Sequence, residues 1–147
     1  MKNLLTAVTD RLEEAAGDLA WIDFDHTQID FSGNETQVQF PCVLSGIDLN
    51  RCEGVKEGVQ QCTASVIVRV AFDKRNLSGV STATEARERS LPDYDLLEKV
   101  YLALEGYEPE GFGLLERVSQ VKEKRTDGLF VYVITFNSVY MDLSASF

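Results

Sequence analysis

The chain has 147 residues, 44% of them hydrophobic, which is enough for one domain whose core needs neither disulfide nor metal support. Its 24 acidic residues against 14 basic ones give a formal charge of −10, which disfavours a protein whose task is gripping nucleic acid, because neutralising phosphates needs a lysine or arginine surface. With three prolines, no Gly/Ser-rich tract and no internal repeat, the chain offers no place to divide it, and residues 1–147 read as a single domain.

In chain order, Leu4, Leu5, Val8, Leu12 and Ala15 recur at helical spacing, with Asp10, Arg11, Glu13 and Glu14 on the opposite face and Gly17 as a natural stop. The acidic residues interrupt the apolar positions before a secretory leader could form, and no later segment reaches membrane-spanning length. Ala20, Ile22 and Phe24 then alternate with Trp21, Asp23 and Asp25, which predicts a strand with one face buried and one wet.

Asp23-Phe24-Asp25-His26-Thr27 has the D-x-D-x-T order of aspartate-nucleophile phosphatases, in which the first aspartate attacks phosphorus, the second acts as acid and base, and both help hold magnesium. That chemistry also requires a central parallel strand, a downstream lysine and a later acidic pair. The alternation around Asp23 and Asp25 instead suits two solvated residues, the chain lacks an Asp-Asp dipeptide, and Lys122 and Lys124 fall in a predicted hairpin. An EF-hand calcium loop fails as well, with Thr27 and Gln28 where Asx and glycine are needed, and His26 is the only histidine. Neither a metal nor another cofactor is expected.

Val38, Phe40, Cys42 and Leu44 share one face of a second strand. Pro41 cannot donate a ladder hydrogen bond, which points to an edge strand or a bulge. The polar stretch NRCEGVKEG (50–58) reads as a loop. Cys62, Ala64, Val66, Val68, Val70 and Phe72 then alternate with Thr63, Ser65, Ile67, Arg69 and Ala71 in the clearest two-period pattern of the chain. From Lys74 to Ser90 apolar residues thin out, predicting a long mobile loop, followed by a helix capped by Ser90 with Asp93 in its first turn. Leu97, Val100, Tyr101 and Leu104 mark its apolar stripe and Gly106 its end.

Two alternating runs, ERVSQVKEK and LFVYVITFNSVYM, flank Arg125-Thr126-Asp127-Gly128, an Asp-Gly hairpin signal. Cys42, Cys52 and Cys62 lack C-x-x-C spacing and suit free thiols in a reducing compartment. The predicted architecture is α+β: a mostly antiparallel sheet with two helices packed on it, in the order helix, about three strands, helix, β-hairpin.

From the first helix to about Asp142, these elements resemble the tail-terminator family of long-tailed phages and prophages, small minor tail or tail-completion proteins. The resemblance is carried by FPCVLSG (40–46), CTASVIVRVAFD (62–73), the helix around YDLLEKVYLAL, and DGLFVYVITF (127–136), with the 74–90 segment as a departure. It implies a structural virion protein, not an enzyme. Such a protein forms a hexameric ring with copies of itself, caps the tail tube, ends tube polymerisation and joins the tail to the head connector. It acts in the bacterial cytoplasm during assembly and then in the virion tail, with DNA passing through the lumen, no specific nucleic-acid binding and no membrane.

The alternatives are a head-completion or neck protein of the same fold, or a small metal-dependent phosphatase using Asp23 and Asp25. Two basic clusters, Arg75, Arg87, Arg89 and Lys122, Lys124, Arg125, stand against the acidic background as candidate subunit or partner contacts. The last strand is long for so small a domain, which adds its far end, with Phe136, Val139, Tyr140 and Met141, to that surface.

Overall fold

The computed structural model describes residues 1–30, 38–75, 79 and 81–146. Its elements are α1 (Lys2–Ala15), β1 (Trp21–Phe24), β2 (Cys42–Lys56), β3 (Val59–Asp73), α2 (Ala83–Leu104), β4 (Glu116–Lys122) and β5 (Leu129–Asp142). The strands form one sheet in the order β1-β2-β3-β5-β4. Only the β1–β2 pairing is parallel; the other three are antiparallel. The fold is therefore α+β, with helices packed on a mostly antiparallel sheet, as the hydropathy pattern predicts.

Both helices cover the same face of the sheet. Leu4, Val8 and Leu12 of α1 and Leu96, Leu97, Val100 and Leu104 of α2 close over Ala64, Val66, Val68, Val70 and Phe72 of β3 and over Ile134 and Phe136 of β5. Ala15 is exposed and Ala16 takes the buried position, because the helix ends there and the chain turns inward. The Arg11 guanidinium donates to the Ala103 carbonyl at 2.9 Å and lies 5.0 Å from the Tyr107 ring, tying the two helices together.

Among the described residues, the opposite face is covered at one end only. There Ile29, Cys42, Leu44, Ala71 and Val131 pack with Trp21, Val38, Phe40 and Leu129, so the face predicted for Val38, Phe40, Cys42 and Leu44 is present. Pro41 precedes β2 instead of interrupting it; its carbonyl accepts the Ala20 N–H at 2.9 Å, and β2 is an inner strand. Phe24, expected on a buried face, is 38% exposed, because β1 is a four-residue edge strand that the helix layer only partly reaches.

Two further expectations are corrected. Asn50 to Lys56 continue β2, and only Glu57 and Gly58 turn, with Gly58 at φ 74°. Pairing with β3, through two register shifts, holds this polar stretch extended where its own hydrophobicity does not. The 74–90 segment is largely helical: α2 starts at Ala83, and the Thr82 side chain accepts the Glu85 N–H at 3.1 Å. Ser90 is thus inside the helix, donating to the Ala86 carbonyl at 3.0 Å, and Pro92 is accommodated in it. The expected mobile loop shrinks to Lys74–Thr82, of which residues 76–78 and 80 lie outside the described residues.

Candidate functional site

The D-x-D-x-T stretch forms a tight turn at the end of β1. Asp23 accepts the Phe24 N–H at 2.8 Å and Asp25 the Thr27 N–H at 2.8 Å, while Thr27 takes φ 63°. Gln28 donates to the Phe24 carbonyl at 2.9 Å and accepts the His26 N–H at 2.6 Å. The turn is closed on itself and delivers Asp25 and Asp30 to the sheet. Asp25 is not solvated as the alternation suggests: its carboxylate faces Arg69 at 3.3 Å with its side chain 18% exposed.

Arg69 is the centre of the site. It sits in mid-strand on β3, on the face away from the helices, and is 8% exposed. Its Nε and Nη2 donate to Glu123 at 2.8 and 3.0 Å, and its Nη2 and Nη1 to Asp30 at 2.8 and 3.0 Å. Arg125 adds a second guanidinium, donating to Asp30 at 2.9 Å, Glu123 at 2.7 Å, Asp127 at 2.6 Å and the Ile29 carbonyl at 2.7 Å. Two cations thus bridge four carboxylates and clip the 25–30 turn and the β4–β5 turn onto the sheet.

The titration shifts follow this geometry. Hydrogen bonding from Arg69 holds the Asp30 carboxyl below the usual carboxylate range. Burial alone would raise Glu123, but the hydrogen bonds from Arg69 and Arg125 outweigh it and lower it. The Arg125 hydrogen bond lowers Asp127. Burial works against a charged Arg69, yet its bonds to Asp30 and Glu123 push its pKa upward. Each of these groups therefore stays ionised near neutrality.

The Asp25 carboxylate accepts from Arg69 and from the Thr27 N–H, which leaves it poorly placed as an acid or base. Among the described residues, no group of three His, Cys, Asp or Glu side chains is arranged to hold a metal ion. An open groove of about 700 Å³ lies where β2 begins, between Phe40, Pro41 and the Pro92 turn of α2. Of its charged residues, Lys74 pairs with Asp93, Lys99 with Asp18 and Asp73 with Arg75.

The candidate contact residues separate into three groups. Phe136 is 0% exposed and belongs to this chain's own core, so it has no surface to offer a neighbour. The reason is its register opposite Val66, under the helices. Arg125 is withdrawn too, its side chain 10% exposed within the ionic cluster.

Tyr140 is partly buried against Phe112, ring centroids 4.7 Å apart, and Arg75 is bonded to Asp73 at 2.8 Å with its guanidinium 5.9 Å from the Phe40 ring. Lys122, Lys124, Arg87 and Arg89 are exposed, and Met141 is 45% exposed. The structure splits the first basic cluster: Arg75 lies against Gly128 beside the β4–β5 turn, whereas Arg87 and Arg89 ride on α2.

Of the rest of the sheet's uncovered face, the sequence reading named Val139 and Met141 and missed Val121, Val133 and Ile67. Cross-strand register places Val121, Val133, Ile67, Val139 and Met141 on it, with Val121 60% and Val139 48% exposed. Every residue of β4 is exposed, and β4 is an edge strand. The alternation of β5, once its inner face is fixed by Phe130, Ile134 and Phe136, contains the signal for this second apolar row.

No protein-family model matches the chain, and no curated protein aligns with it significantly. No helix among the described residues is long and apolar enough to cross a membrane.

Proposed function

We propose that the chain is a structural ring protein of a phage or prophage tail. In this reading copies of it close a ring on the last tail-tube ring, stop polymerisation and present the other side to the head connector, with no catalytic step. The observation that carries it is the open half of the sheet: an exposed edge strand, β4, beside the apolar row Val121, Val133, Ile67, Val139 and Met141. An exposed apolar patch beside an unpaired strand edge is a surface that a partner can cover.

A ring requires two different complementary patches on each subunit. The β4 edge carries exposed Lys122 and, just beyond it, Lys124. At the other side of the sheet α1 lies over β1 and β2 and exposes Asp10, Glu13 and Glu14. Basic and acidic patches at opposite edges favour head-to-tail docking over a two-fold dimer.

Six subunits would carry 6 × −10 = −60, a repulsion that weakens as salt shortens the Debye length from ~30 Å at 0.01 M to ~8 Å at 0.15 M. Light scattering should therefore show a monomer in dilute low-salt buffer and a shift toward a ring with salt, protein concentration or added tail-tube rings. The double variant Val121→Asp, Met141→Asp should stay folded by circular dichroism and lose the ring. A wild-type chain that stays monomeric in all these settings and never caps a tube defeats the proposal.

A further inference from the structure

Cys52 and Cys62 are direct partners across the β2–β3 pair. Residues directly opposite one another in an antiparallel pair have Cα atoms about 4.5–5.5 Å apart, within the roughly 4.4–6.8 Å window that a disulfide requires. The two thiols already interact: contact with the Cys52 thiol, then burial, pushes Cys62 up to about 11. Cys52 is exposed and Cys62 is 0% exposed, so only one of the pair is open to a reagent. Register shifts between Leu49 and Arg51 and between Gly54 and Lys56 bracket the pair and give this arm of the hairpin local freedom to adjust.

We propose that Cys52 and Cys62 form a reversible cross-strand disulfide, with Cys52 as the attacking thiol and Cys62 as the resolving one. The oxidant class is a low-molecular-weight disulfide such as oxidised glutathione. The Cys52 thiolate attacks one sulfur of that disulfide, breaking its S–S bond and releasing one glutathione thiolate. Cys62, after losing its proton to solvent, attacks Cys52 Sγ and expels the second glutathione thiolate. Two protein thiols are oxidised and one small disulfide is reduced to two thiols, so the exchange balances. The product pins the distal half of the β2–β3 hairpin in its register. This inference does not depend on the ring proposal.

The third cysteine is an internal control. Cys42 is 0% exposed at the other end of β2, and burial pushes its thiol up to about 12, which keeps it inert.

The test is to incubate the reduced protein with oxidised glutathione, quench it in acid, denature it, block free thiols with a maleimide near neutral pH, digest it with trypsin and weigh the peptides. Cleavage after Arg51, Lys56 and Arg69 separates the pair onto residues 52–56 and 57–69. The expected result is those two peptides joined, Cys42 alkylated, and full reversal by dithiothreitol. Cys62→Ala should stop at a glutathione adduct on Cys52, and Cys52→Ser should give neither product. Closure from the adduct should quicken as pH rises from 7, because the thiolate fraction of Cys62 rises with it. A wild-type protein that keeps a stable adduct on Cys52, links Cys52 only between chains, or does not react overturns the proposal.

Discussion

The two faces of β3 solve the same problem by different means. Toward the helices, Val66, Val68 and Val70 are 0% exposed within a continuous apolar layer shared with α1, α2 and β5. On the other side the strand is covered at Arg69 by paired charges and at Ser65 by hydrogen bonds with Asn50 and Asn137, with Ile67 and Thr63 half-buried and Gln61 exposed. Apolar burial is non-directional and tolerates small shifts, whereas a guanidinium shared among three carboxylates fixes which segments approach and at what angle. The helix side thus supplies most of the stability, and the ionic side determines how the 25–30 and 123–127 turns are placed.

Removing packing should have the largest effect. Phe136→Ala, at a position with no exposure, should cost about 3–5 kcal/mol in urea denaturation; a loss below 1 kcal/mol would mean the core is not organised around it. Arg69→Ala comes next, at about 3 kcal/mol, since it strands Asp25 and leaves Asp30 and Glu123 to Arg125 alone. Arg69→Met combined with Asp25→Asn should recover much of that loss, because the carboxylate that Arg125 does not reach leaves with its partner. Failure to recover would show that the cluster contributes through geometry more than through charge.

A titration comes third. Asp30, Glu123 and Asp127 have folded pKa values below their unfolded ones, so their contribution is fully present above the ordinary carboxylate range, near pH 4–5, and is lost as pH falls through the folded values. Stability should drop between about pH 5 and 3, and less steeply in Asp30→Asn. Parallel curves for the two proteins would remove the cluster from the account. The smallest expected effect is at the open surface: Val121→Asp should change monomer stability by no more than about 0.5 kcal/mol.

What was legible in the sequence follows from the same contrast. Regular alternation in β3 and β5, the helical stripe Leu4-Val8-Leu12 and the Asp127-Gly128 turn all announce elements whose own pattern meets the core. Asn50 to Lys56 are extended only because β3 pairs with them, and no local pattern encodes a partner. The first turns of α2 were signalled by Thr82-x-x-Glu85, a capping pattern hidden by the polar residues after it and by Pro92.

Arg69 offered a signal as well. An arginine inside VIVRVAF must find carboxylates if its strand is covered on both faces, and the acidic 23–30 stretch was one supply. The sequence left open that Asp25 and Asp30 serve there, because the parallel β1–β2 pairing that carries Asp25 over Arg69 is a tertiary fact.

The strand order has a consequence for synthesis. β5 is the last strand made, yet it sits between β3 and β4, so β3 leaves the ribosome with one apolar edge unpaired until Leu129 to Asp142 follow. The intervening α2 can cover the face of β3 but cannot satisfy its edge amides and carbonyls. Closure of the sheet is a late step joining residues far apart in sequence, which slows folding and exposes the nascent chain to edge-to-edge association. A stalled chain that ends before β5 is thus the form of this protein most prone to aggregate.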